Sequence, residues 1–179
     1  MGIFDRFLKL FGIKKDEVKI ICIGLDNGGK TTIVNHLKPT SQNKIAPTVG
    51  FQVELFSRAN VNVTMFDMGG QGQFREFWEY FFMDAQGVMF VVDSSDRERL
   101  CNAKDELKKI LTHKNLENKP ILVFANKQDL DKSVPPKELS AILKMDKISG
   151  REWNLIGSNA LKGEGIEEGI NWLMDRILS

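Results

Sequence analysis

Cysteine is scarce. The 179 residues hold two, Cys22 and Cys101, one in an apolar run and one in a helical run, with no metal-ligand spacing. That excludes a disulfide framework and reads as two reduced thiols in a reducing compartment. Long apolar runs are missing too, and none approaches the roughly 20 residues that span a bilayer. Charge of one sign is not in excess. Twenty-five basic and 24 acidic residues leave a net charge of +1, so no bulk field calls for nucleic acid. The two histidines, His36 and His113, read as solvated helix-surface residues without a role. Repeats, low-complexity tracts and interdomain linkers are absent. What is present, 42% hydrophobic and 27% charged residues, describes a globular, cytosolic chain with a core large enough for one domain.

Five apolar runs punctuate it: VKIICIG (18–24), VNVTMF (61–66), GVMFVVD (87–93), PILVFAN (120–126) and EWNLIGS (152–158). Their near-continuous hydrophobicity predicts strands covered on both faces. Helix-like stretches lie between most of them: GKTTIVNHL, RERLCNAKDELKKILTH, PPKELSAILKM and GIEEGINWLMDRIL. FQVELF and VNVTMF flank SRAN as a hairpin. Alternating strands and helices predict an α/β fold with a mostly parallel sheet, to which the hairpin adds one antiparallel strand. Ligands of such sheets sit beyond the carboxyl ends of the strands.

GLDNGGKT (24–31) follows the first strand, opens the first helix, and fits G-x-x-x-x-G-K-[ST] at every fixed position. Gly24 and Gly29 let the backbone wrap an anion, and successive N–H groups then point at phosphates. Lys30 supplies a mobile cation, and the Thr31 hydroxyl is placed for Mg²⁺. The motif alone leaves ATP against GTP open. NKQD (126–129) ends the fourth long run. The Asp129 carboxylate can accept from the N1–H and exocyclic amine of guanine, a donor pair adenine lacks, so a buried carboxylate left unpaired would reject adenine. Asn126 can tie this loop to the phosphate loop, and the Lys127 stem can lie over the base. In SNALKGEG (158–165), the Ala160 N–H can reach the guanine carbonyl oxygen. A solvated polar turn and a plain Gly-rich loop are the blander readings of these two segments.

FDMGGQ (66–71) puts Asp67 at a strand end, where it can hold Mg²⁺ through water. Gly70 offers an N–H to a γ-phosphate and Gln71 can orient the attacking water. In PTVGF (47–51), Thr48 can ligate Mg²⁺ when a γ-phosphate is present. In this order after a phosphate loop, these elements describe a two-state device. The opening MGIFDRFLKLFG adds an amphipathic segment. Ile3, Phe4, Phe7, Leu8, Leu10 and Phe11 fall within an arc of about 160°, opposite Asp5, Arg6 and Lys9. Those charges interrupt any secretory h-region.

The segments GLDNGGKTT, PTVGF, DMGGQ, FVVDSSDRERL, FANKQDL and ALKGEG together resemble the Arf and Arf-like small GTPases over nearly the whole chain. The resemblance implies a P-loop NTPase small-GTPase fold. Its sheet would have six strands, mostly parallel with one antiparallel, and helices on both faces. An N-terminal amphipathic helix would occupy 1–15 and a GTPase domain 16–179. It implies that Asp26, Asn27, Gly28, Gly29, Lys30, Thr31 and Thr32 contact the nucleotide with Thr48, Gly70, Asn126, Lys127, Asp129 and Ala160. Phe51, Phe66 and Phe81 fall at the family's three aromatic effector positions, where core packing is an equally good reading. The implied ligands are GTP, GDP and Mg²⁺. The implied partners are an exchange factor, a GTPase-activating protein and a coat or effector reached as a monomer at a membrane surface. Absence of a C-terminal cysteine fits the family and argues against prenylation. FDRFLKLFGIKKDEV, FDMGGQGQFR and ALKGEGIEEGINWL are most similar to the Bardet–Biedl-associated subtype. That subtype implies recruitment of the BBSome coat and a place at cilium or basal body as a peripheral membrane protein. No Arg is assignable as a finger in cis, so hydrolysis is expected to be slow until a partner supplies one. Two rivals remain: a P-loop kinase of small molecules, which would need a lid with several Arg, and a nucleotide-bound adaptor that does not hydrolyse.

Overall fold

A computed structural model of the chain describes residues 17–38, 49–58, 61–71 and 78–179. The expected membrane-facing residues Ile3, Phe4, Phe7, Leu8, Leu10 and Phe11, the 1–15 segment and Thr48 lie outside them.

Each apolar run becomes a strand. β1 is Glu17–Ile23, β3 Val61–Met68, β4 Gly87–Asp93, β5 Ile121–Asn126 and β6 Trp153–Gly157. β2, Phe51–Arg58, forms the other half of the hairpin. The six strands lie in the order β2-β3-β1-β4-β5-β6. All pairings are parallel except β2 with β3, which runs antiparallel from Phe51↔Met68 to Arg58↔Val61. Among the described residues the helices are α1 (Lys30–Leu37), α2 (Trp78–Phe82), α3 (Leu100–Thr112), α4 (Pro136–Leu143) and α5 (Ile166–Leu178).

The central strands β1, β4 and β5 are almost wholly buried because the sheet is covered twice. Along β1, Ile21 and Ile23 face one core with Phe90, Val123, Leu107 and Leu139. Ile20 and Cys22 face the other with Met89, Phe124, Ile33 and Leu173. α3 covers the first side with a helical stripe, Leu100, Ala103, Leu107 and Ile110, all buried. Burial of each such large side chain stabilises the fold by about 1.5–3 kcal/mol. The consequence for function is geometric. The carboxyl ends of β1, β3, β4, β5 and β6 share one edge, and every motif quoted above inside the described residues hangs from that edge except the rings of the hairpin and α2. Among the described residues, no helix is long and apolar enough to cross a membrane.

Candidate nucleotide-binding site

Six residues, 24–29, separate β1 from α1 and form a cradle. Its last residue, Gly29, caps α1 at φ 95°, a left-handed conformation. A Cβ there would lie 2.3 Å from Asn126 Nδ2, so only glycine lets the base loop close on the phosphate loop. Asn27 shares the left-handed region at φ 61° and is exposed, whereas Gly28 is buried. Lys30 is 6% exposed. Its Nζ donates to the carbonyls of Gly24 (3.2 Å) and Leu25 (2.8 Å), which hold the ammonium inside the cradle. Thr32 is half-buried in the first turn of α1.

β3 feeds the second part of the site. The register Cys22↔Asp67 on β1 sets Asp67 beside α1, where the Thr31 hydroxyl donates to its Oδ2 at 2.6 Å. Three residues on, Gly70 packs onto the cradle: a Cβ at Gly70 would lie 2.3 Å from Asp26 N and 2.5 Å from Lys30 Nζ. Two bonds brace this segment. The Trp78 indole donates to Gly69 O at 3.1 Å, and the Gly69 N–H donates to Gly50 O at 2.8 Å. Gln71 follows, half-buried.

The base side is organised around Asn126. Its Nδ2 donates to Gly28 O at 2.9 Å, while its Oδ1 accepts from Ser158 Oγ (3.2 Å) and Ala160 N–H (3.0 Å). One buried amide thus joins three loops. Lys127, at φ 66°, sends its ammonium to Asp93 Oδ2 at 2.6 Å. Asp93 Oδ1 accepts from the Ser95 N–H (3.0 Å) and hydroxyl (2.6 Å). Burial pushes the Asp93 carboxyl up, but these Lys127 and Ser95 hydrogen bonds outweigh it and hold the pKa below the usual value. Burial, with the Asp67 charge adding to it and Lys30 opposing, raises the Cys22 thiol well above its usual value, which makes it inert.

Several expectations change on contact with the fold. Asp129 stands exposed in the turn that follows β5. The Ala160 N–H is taken by Asn126 rather than held out toward a base. Of the three aromatic rings, Phe66 is buried at 8% exposure. It sits beneath Phe81 with centroids 4.8 Å apart, and Phe81 in turn leans on Phe51 at 4.7 Å. Phe51, Val53 and Leu55 face outward on the edge strand β2. His113 is half-buried, edge-on to Phe82 at 4.8 Å, and its Nδ1 accepts from the Asn115 N–H. Sequence reasoning missed Arg99. Its guanidinium donates to Asp26 Oδ1 (2.8 Å) and Asp96 Oδ2 (2.6 Å), bracing the cradle from outside. The only signal was its place in DSSDRERL, just after a strand end.

The donor set fits a nucleotide with Mg²⁺. Among the described residues no group of three His, Cys, Asp or Glu gathers as a metal site. The Thr31–Asp67 pair instead offers one hydroxyl and one carboxylate, which suits a hard cation that keeps several waters. The cradle's glycines and buried ammonium suit a polyphosphate.

A phosphate cradle, a base loop and a β3 sensor on one edge of this sheet define a nucleotide-binding P-loop protein of the small-GTPase class. The model of the ADP-ribosylation factor family matches residues 4–177. ADP-ribosylation factor-like protein 6 of Danio rerio is 42% identical over 99% of this chain and 97% of that protein. ADP-ribosylation factor-like protein 1 of Saccharomyces cerevisiae is 41% identical over 97% of this chain and 94% of that protein. The solved structure of the Arl6 BBS3 small GTPase from Trypanosoma brucei, with bound nucleotide analogue GppNp, is 40% identical with a TM-score of 0.85, covering 90% of this chain and 98% of that one. The chain belongs to the ADP-ribosylation factor family and is an Arf-like GTPase, which binds GTP or GDP with Mg²⁺ and hydrolyses GTP.

Proposed function

We propose that this GTPase is a membrane-recruiting switch whose γ-phosphate sensor is the 67–71 segment. The observation that carries this reading is the approach of Gly70 to Asp26 N and Lys30 Nζ. A segment packed that closely on the cradle must respond to what the cradle holds. Lys30 clamps the terminal phosphates, Thr31 with Asp67 (through water) and Thr48 hold Mg²⁺, and the Gly70 N–H meets the γ-phosphate. Gln71 orients the attacking water. Asn126, Lys127 and Asp129 serve the guanine, with the Ala160 N–H contributing once it leaves Asn126. When bound, Mg²⁺ neutralises charge on the β- and γ-phosphates. The chain's own task is to fix the phosphates, exclude disordered water and aim one water in line.

The sensor lies on the hairpin, so movement of one moves the other. A two-residue slip of β3 along β1 keeps every side chain on its face, whereas a one-residue slip would reverse them all. Such a slip must break two ties seen here: Lys38–Glu54 at 2.9 Å, and Arg58 to Glu167 and Asn171 on α5. The 1–15 segment then leaves a groove on the 16–179 domain and places Ile3, Phe4, Phe7, Leu8, Leu10 and Phe11 in a membrane interface. Each fully buried side chain there gains about 1.5–3 kcal/mol, enough for reversible binding. Phe51 and Phe81, on Phe66, form the effector surface. On the resemblance to the Bardet–Biedl-associated subtype, the recruited coat is the BBSome and the setting is the ciliary membrane or basal body.

Liposome flotation tests this. The full chain should float when loaded with a non-hydrolysable GTP analogue and stay in solution with GDP, and loss of residues 1–15 should abolish flotation. Flotation that ignores the nucleotide, or survives the deletion, overturns the switchable anchor.

A further inference from the structure

The nucleotide edge is not the only concave polar region among the described residues. A cleft of about 540 Å³ opens between α3 and the segment from the end of α4 to the start of β6. Clefts of this size accommodate a small ligand. α3 starts just beyond the carboxyl end of β4 and runs back toward the amino end of β5. The cleft, on its later turns, therefore lies away from the phosphate cradle, and both can be filled at once.

Its charge is lopsided. Lys104 and Lys108 enter from one wall, a helical turn apart, and Lys144, Lys147 and Arg151 from the other, against one lining carboxylate, Asp105, and the Glu117 charge that acts on Arg151. The chain as a whole is nearly balanced at +1, so this is local concentration, not overflow. None of the five cations forms an ion pair with a described residue, although nine other ion pairs do form among them. Four lysines and an arginine around one hollow suit a polyanion.

Two further features shape the hollow. Lys144 terminates α4 in the left-handed conformation, φ 58° and ψ 43°. That position favours glycine, and a lysine there costs on the order of 1 kcal/mol. The strained residue presents its cation to the cleft. Arg151 donates from Nη2 to Leu111 O at 2.9 Å, which anchors the guanidinium in the floor. Its other terminal nitrogen, Nη1, is buried with no hydrogen-bond partner among the described residues. Buried donors are nearly always satisfied, by protein, by water or by a ligand, and this one opens onto the cleft that Arg151 lines.

We infer that this cleft is a second, nucleotide-independent site for a compact polyphosphorylated ligand, a sugar- or cyclitol-sized ring bearing several phosphates. Lysines act as point charges for phosphate, and the arginine fork adds geometry. Leu111 and Leu143 in the lining supply an apolar bed for the carbon ring. Phosphate packs more charge into this volume than carboxylate does, which matches five cations in one hollow. The ligand can be free or be the headgroup of a lipid, and the chemistry is shared.

The test uses the full chain loaded with GDP and Mg²⁺, so that the cradle does not compete. Inositol hexakisphosphate is titrated calorimetrically into the wild type, into Lys104→Ala/Lys147→Ala, and into Lys132→Ala/Lys137→Ala, which removes the same charge from exposed positions outside the cleft. Arg151 is left intact because its bond to Leu111 O supports the fold. Saturable one-to-one binding is expected, weakened about tenfold or more in the cleft variant and unchanged in the control. GDP off-rates should be equal in all three. Vesicles carrying phosphatidylinositol bisphosphate, compared with phosphatidylserine vesicles of equal charge, separate the sources. A preference for the former that the cleft variant loses identifies a headgroup, and soluble binding without that preference identifies a free ligand. Equal weakening in both variants, absence of saturable binding, or tighter binding of a deca-glutamate peptide overturns the proposal. A failure of the switch reading leaves this outcome untouched, since the readout needs neither hydrolysis nor GTP.

Discussion

Asn126 donates from Nδ2 to the carbonyl of Gly28, 98 residues away in sequence, at 2.9 Å. The same side chain accepts from Ala160 and Ser158, so its removal unties the cradle from both base loops. Asn126→Ala leaves buried groups unpaired at about 1–3 kcal/mol. Release of fluorescent GDP and GTP should both accelerate, by roughly ten- to a hundredfold. Acceleration of only one nucleotide would show that Asn126 senses the γ-phosphate instead of holding the loops.

Thr31 and Asp67 form a 2.6 Å hydroxyl–carboxylate pair. Thr31→Asn keeps a polar group but loses the small hydroxyl that suits the cation. GTP affinity should fall about tenfold more than GDP affinity, trapping the off state. Stopped-flow exchange at varied Mg²⁺ checks this, and off-rates equal to wild type at every Mg²⁺ concentration reject the role given to Thr31.

Gln71→Leu removes the group that aims water while leaving the Lys30 and Asn126 bonds in place. Hydrolysis stimulated by the activating protein should drop by roughly a hundredfold or more, with GTP affinity close to wild type. Equal single-turnover rates would mean that another group positions the water.

Arg99 braces Asp26 from outside the cradle. Arg99→Ala should loosen the phosphate loop, so the GDP off-rate rises several-fold, a smaller effect than for Asn126→Ala because the Arg99–Asp26 pair is part-exposed. Fluorescent GDP release at low and high salt measures both parts, and salt should shrink the difference between variant and wild type.

Asp93 supplies a pH signature. Its folded pKa lies below the ordinary value, so its ion pair with Lys127 stabilises the fold above the unfolded carboxylate pKa of about 3.9. That contribution is lost as pH falls through the folded pKa. Asp93→Asn should therefore be less stable than wild type at neutral pH, and the gap should close below about pH 4. Urea melts across that range measure it. A gap independent of pH would assign the loss to packing.

The strands themselves and the glycine-rich loop between β1 and α1 were legible in the sequence because each depends on local chemistry. A run apolar on both faces is a covered strand wherever it falls, and a glycine-rich turn between such a strand and a helix wraps an anion through its own backbone. The five apolar runs of 18–158 and GLDNGGKT needed no partner to be recognised. Side-chain destinations did depend on partners. Phe66 is buried because the β3 register sets it opposite Val53 and Ile21 and beneath Phe81. Asp129 stands exposed in the turn after β5. The Ala160 N–H is taken because Asn126 reaches it across 34 residues. Arg99 meets Asp26 over 73 residues, and the lysines of α3 face those after α4 only once both helices dock on one side of the sheet. Periodicity and motif spacing report a residue's neighbours along the chain. Which groups then meet is set by long-range packing and register, and these are properties of the whole fold.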